Sequence, residues 1–93
     1  SFFRKTNLMA KLASHLKLTL YSAPQCHRCD DALALLDPYI NQGASLAKLD
    51  ITLDPLLLAK YGTRIPVVAA AGKELGWPFD AEQLASWLKT LNN

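Results

Sequence analysis

The chain's two cysteines, Cys26 and Cys29, lie in the stretch APQCHRCDD at residues 23–31. His27 and Arg28 separate them, and both are basic types. Thiols at this spacing have three uses open to them. They can form a redox pair, supply half of a metal site, or pack as two small buried side chains. A structural disulfide framework is not among the choices, because two cysteines are too few for one. A bridge between them would close a very short loop. Such a bridge restricts the unfolded chain little and therefore stabilises little.

Which use applies depends on the elements that hold the pair. From His15 to Tyr21 the sequence alternates, with Leu16, Leu18 and Leu20 on one face and Lys17, Thr19 and Tyr21 on the other, so a strand is expected. Ser22-Ala23-Pro24-Gln25 ends it. A helical stretch follows from about Cys26 to Leu36, with Ala32, Leu33, Leu35 and Leu36 as its apolar stripe and Asp30 and Asp31 at its positive end. Pro38 disfavours helix at Asp37, so the helix either stops there or resumes as a turn capped by Asp37. A second strand is expected at Ser45–Ile51, with Ala47, Leu49 and Ile51 facing one way. Asp54-Pro55 opens a second helix with Leu56, Leu57, Leu58 and Tyr61 on its apolar face and Gly62 as a left-handed residue after it. Val67–Ala70 is a third strand, Ala71-Gly72-Lys73 a turn, and Glu74–Trp77 a short return strand. In the last helix Asp80 is the N-cap and Gln83 completes a capping box. Phe79 and Leu84 occupy the staple positions, and Leu84, Trp87, Leu88 and Leu91 recur at helical spacing.

The order β-α-β-α-β-β-α predicts an α/β domain with a mixed four-stranded sheet flanked by helices. In open sheets of this kind, sites gather beyond the carboxyl ends of strands. Cys26 lies just past such an end, at a helix start. The first turn of a helix offers unpaired N–H groups and a partial positive charge, and both stabilise a thiolate. Cys29 falls one turn deeper. That is the arrangement of a nucleophile, Cys26, and a resolving thiol, Cys29. His27 and Arg28 are expected to favour the thiolate, with Asp30 and Asp31 opposing them. A structural zinc ion needs about four protein ligands. The chain offers two cysteines and two histidines; His27 lies between the cysteines and His15 at the far end of the preceding strand, so no metal is expected.

The bulk properties fit a single domain. The chain has 93 residues, 51% of them apolar and 19% charged, with ten basic and eight acidic residues and a formal charge of +2. The basic residues are scattered, so neither nucleic acid nor an anionic membrane is an expected partner. No apolar run approaches the length of a membrane span. The start, SFFRKTNLMAKLASH, is not an intact signal peptide. Residues 1–14 are expected to be an N-terminal extension, its first eight residues natural or an expression remnant, and residues 15–93 the domain.

With this element order the chain resembles the glutaredoxin branch of the thioredoxin-like fold. LTLYSAPQCHRCDDALALL, DITLDPLLLAKYGTRIPV and GKELGWPFD are similar to small glutaredoxin-like proteins with unassigned substrates, over about residues 16–91. The resemblance implies a cis Ile65–Pro66 bond facing the cysteines, with Ile65 offering backbone hydrogen bonds to a substrate strand. It also marks Arg64, Gly76 and Asp80 as candidate substrate contacts, Arg64 as a partner for a carboxylate. The chain departs from glutaredoxins in carrying His27-Arg28 where they usually have Pro-Tyr. It has the uncharged Ala23-Pro24-Gln25 where many have a lysine. Trp77-Pro78-Phe79 follow Gly76 where they have a second glycine and an acidic residue. Trp77 and Tyr21 either line the site or pack; Phe79 is expected to pack.

The expected function is a cytoplasmic, monomeric thiol–disulfide oxidoreductase with no tightly bound cofactor. Its expected partner is a disulfide-containing protein or a glutathione-type substrate, with glutathione a candidate co-substrate. Two alternatives come from other classes. One is an iron–sulfur cluster carrier in which two chains hold the cluster through Cys26 and glutathione. The other is a thioredoxin-fold binding module with little turnover.

Overall fold

The computed structural model describes residues 16–91. The expected extension at residues 1–14, and His15 at the expected strand start, lie outside the described residues. The elements are β1 (Lys17–Ser22), α1 (His27–Asn41), β2 (Ser45–Asp50), a 3-10 turn (Ile51–Leu53), α2 (Pro55–Tyr61), β3 (Val67–Ala70), β4 (Lys73–Gly76) and α3 (Ala81–Leu91). The sheet order is β2-β1-β3-β4, with β1 parallel to β2 and antiparallel to β3, and β3 antiparallel to β4.

Strand alternation sorts the side chains into two layers. Leu18 and Leu20 of β1 and Val68 and Ala70 of β3 point to one face. There they meet Ala32, Leu36 and Tyr39 of α1 and Leu84 and Leu88 of α3. Tyr21 and Val67 point to the other face and pack with Ile51, Leu57, Tyr61 and Ile65 around α2. The first cluster is the main core, with Leu20, Ala32, Leu36, Leu84 and Leu88 fully buried. The second is small and lies at the end of the sheet where β1 stops.

Four local expectations need correction. Helix α1 runs unbroken through Pro38 to Asn41. Proline removes one hydrogen bond, to the carbonyl four residues back. Ala34 holds that carbonyl and is exposed, so water can take the bond, while burial of Tyr39 against the core holds the last turn. Strand β2 ends at Asp50, and Ile51 starts the 3-10 turn that Asp50 caps by accepting from the Thr52 N–H at 2.9 Å. Of the three residues expected to share a face, Ile51 is buried while Ala47 and Leu49 are exposed, because β2 is an edge strand. On α2, Leu57 and Tyr61 face inward. Leu56 and Leu58 do not, and Leu56 is 80% exposed, since a helix of seven residues covers only part of its sheet face. Gly62 adopts right-handed backbone (φ −53°, ψ −34°) rather than left-handed. Its need for glycine is steric, because a Cβ there would stand 2.5 Å from the Leu58 carbonyl oxygen.

Both helix caps read from the sequence are present. Asp54 accepts from the Leu56 N–H at 2.8 Å. Asp80 accepts from the Gln83 N–H at 2.7 Å, and Gln83 Oε1 accepts from the Asp80 N–H at 2.9 Å. The β3–β4 turn places Ala71 (φ 53°) and Gly72 (φ 78°) in left-handed backbone. Two positive angles in succession are what a tight hairpin requires.

Candidate active site

Strand β1 delivers the chain to the site and α1 begins there. Ser22, the last residue of β1, is buried, and its hydroxyl donates to the Leu49 carbonyl at 3.5 Å. Gln25 takes left-handed backbone (φ 58°), a conformation that costs a non-glycine residue about 1–2 kcal/mol. The turn leaves Cys26 as the extended N-cap of α1. Its Sγ accepts from the Cys29 N–H at 3.1 Å, satisfying one of the free donors of the first turn. Cys26 and Cys29 are joined as a disulfide, with Cα atoms 5.2 Å apart. Cys26 is half-buried and Cys29 only 2% exposed, so one sulfur faces the surface and the other the interior. His27 and Arg28, on the first turn, are exposed.

The register of β1 on β3 decides what stands opposite. Tyr21 pairs with Val67, so the residues just before Val67 lie beside the loop leading to Cys26. An open groove of about 440 Å³ runs there, walled by residues 23–28 on one side and by Gly62, Thr63 and Ile65 on the other. The Ile65–Pro66 bond is cis, as is Trp77–Pro78. Pro66 is fully buried, and its carbonyl accepts from the Trp77 N–H at 3.0 Å. The Ile65 N–H is already committed to the Tyr61 carbonyl at 3.2 Å, so it is not free to pair with a further strand.

Three candidate contacts stand away from this groove. Gly76 ends β4 opposite Val67, behind Pro66. Asp80 is held in its capping box and faces a separate depression with Glu82, Gln83 and Ser86. Arg64 turns to Glu74, 3.1 Å away, and lies over the Tyr61 ring, 5.4 Å from its centre. Trp77 meets Phe79 edge to face at 5.1 Å, and both pack against the main core. Tyr21 stacks on Tyr61 at 4.2 Å. Among the described residues no cluster of His, Cys, Asp and Glu could hold a metal ion, and no helix is long and apolar enough to cross a membrane.

The Tyr61–Glu74–Arg64 group escaped sequence reading. Tyr61 donates its hydroxyl to Glu74. Glu74 thus ties the β3–β4 hairpin to the segment that forms one groove wall. That hydrogen bond, and secondarily burial, pushes the Tyr61 hydroxyl well above its ordinary range. The same bond, aided by Arg64 and opposed by desolvation, holds the Glu74 carboxyl below its ordinary range. A depressed carboxyl contributes stability above its unfolded-state value and loses it as pH falls through the folded one. Glu74→Gln should therefore cost about 1 kcal/mol at neutral pH, the scale of a partly exposed pair. The gap from the native protein should close below the ordinary carboxylate range. Urea unfolding of both proteins at neutral and acid pH measures it; a gap independent of pH would contradict the assignment.

The glutaredoxin-like domain (DUF836) family model matches residues 17–89 of this chain. Among solved structures, the X-ray structure of target protein XcR50 from X. campestris is similar at 39% identity and a TM-score of 0.71, over 78% of this chain and 96% of that one. The solution structure of the same target matches at 42% identity and a TM-score of 0.68, over 78% and 92%. A single-site mutant of thioredoxin from Halobacterium salinarum NRC-1 shares the fold, with 22% identity and a TM-score of 0.63 over 90% of this chain and 80% of that one. No curated protein matches.

Proposed function

Since the chain belongs to the glutaredoxin-like domain family and has a thioredoxin-like fold with a CxxC pair, we propose that it is a thiol–disulfide oxidoreductase working through Cys26 and Cys29. The observation that carries this reading is the position of Cys26. It is the N-cap of α1, within hydrogen-bond reach of the Cys29 N–H, and it opens onto a groove. A helix N-terminus stabilises a thiolate there, and the thiolate is the attacking species.

The reduced protein starts with Cys26 as thiolate. Its Sγ attacks one sulfur of a substrate disulfide. A bond forms between the two, the substrate S–S bond breaks, and the departing thiolate takes a proton from solvent. Cys29 then loses its proton and attacks Cys26 Sγ. The Cys26–Cys29 bond forms and the second substrate thiolate leaves. Two electrons have passed from the dithiol to the substrate, and a thiol reductant such as glutathione or a second dithiol must return them. Burial of Cys29 supports its role as resolving thiol, since a substrate disulfide meets Cys26 first. The Ile65 carbonyl is the backbone acceptor for a bound substrate strand, and Pro66 shapes the wall beside it. His27 and Arg28 favour the thiolate electrostatically.

The test is turnover. A catalytic amount of the protein, with excess reduced glutathione or a small dithiol, should reduce a peptide disulfide faster than the thiol does alone. A rate equal to the uncatalysed one with every reductant would refute the reading.

A further inference from the structure

The groove at Cys26 carries charge of one sign. Among the described residues Arg28 and His27 line it, and no carboxylate does. Asp30 and Asp31 are close in sequence but exposed and outside the groove. The salt bridge among the described residues is Arg64–Glu74, so Arg28 has no ion-pair partner among them. A guanidinium offers a planar fork of donors that matches a carboxylate. The remaining wall is partly apolar, with Ala23, Pro24 and a half-buried Ile65.

Resting on the redox reading above, we propose that the preferred substrate is a protein disulfide with a carboxylate side chain next to its reacting cysteine, and that Arg28 selects it. Carboxylates also occur on oxidised glutathione, but each half of that molecule brings an ammonium as well. Among the described residues no acid lines the groove to receive an ammonium. Arg64 is occupied by Glu74, and the Asp80 carboxylate caps α3. Among the described residues Arg28 is the free cation beside the nucleophile, and it suits a single flanking acid on an extended segment. The exchange chemistry itself is unchanged.

The experiment uses peptide disulfides identical except for Glu, Gln or Lys beside the cysteine, with oxidised glutathione in parallel. The readout is the ratio of kcat/KM values for each protein, because any change in Cys26 reactivity multiplies all substrates alike. The native protein should favour the Glu peptide over the Lys peptide by about fivefold at low salt, the scale of an exposed charge pair. The preference should shrink in about 0.5 M salt. Arg28→Gln should flatten the ratio and Arg28→Glu should reverse it. Equal kcat/KM for all three peptides, or an unchanged order in Arg28→Glu, would overturn the proposal and leave the redox reading standing. Higher kcat/KM for oxidised glutathione than for the Glu peptide would overturn the assignment to a protein segment. No turnover of any disulfide would overturn both.

Discussion

Cys29→Ser should stall the protein as a covalent adduct. Cys26 would still attack a substrate disulfide, but no second thiol would remain to release it. Intact mass after mixing with a peptide disulfide should show protein plus one peptide half, removable by a strong reductant. Cys26→Ser should give no adduct and no turnover above the uncatalysed rate. Cys29 cannot stand in, being 2% exposed on the inner side of α1. Equal adduct formation by both variants would mean that the buried sulfur is as reachable as the capping one, and the assigned order of attack would be wrong.

Leu36→Ala should be the most destabilising simple truncation on the helix that carries the pair. Leu36 is fully buried in the cluster where α1 meets the sheet and α3. Removing a buried leucine to alanine costs about 2–5 kcal/mol, from lost burial and the cavity left behind. A domain of this size has only about 5–15 kcal/mol to lose. Urea unfolding should show the drop as a lower midpoint. A loss below about 1 kcal/mol would mean that the site can collapse around the gap. The cysteines themselves lie at the N-terminal end of α1, away from this contact. The folded variant should therefore keep its order of attack while losing stability.

The elements that carry the site were legible because they are marked by local chemistry. Alternation placed β1, the Asp54-Pro55 and Asp80/Gln83 caps placed α2 and α3, and strand order put Cys26 beyond a carboxyl end. Periodicity could not see what depends on neighbours. Leu56 and Leu58 look like core at their spacing, yet α2 is too short to bury them. Pro38 looks like a stop, yet the packing of Tyr39 carries the helix past it. The resemblance marked Arg64 as a partner for a substrate carboxylate. Its partner Glu74 lies on β4, and only the register of the hairpin brings the two together. Alternation along β4 did hint at this, since Leu75 packs inward and Glu74 must then face the α2 side.

The most direct test of the central claim is the redox equilibrium of Cys26 and Cys29. The protein would be equilibrated in defined glutathione buffers, alkylated, and its free thiols counted by mass. The account predicts that both thiols vanish together as one two-electron couple, within roughly −120 to −270 mV, the range of known dithiol oxidoreductases. Separate oxidation of the two cysteines, or no bond between them at any poise, would contradict it.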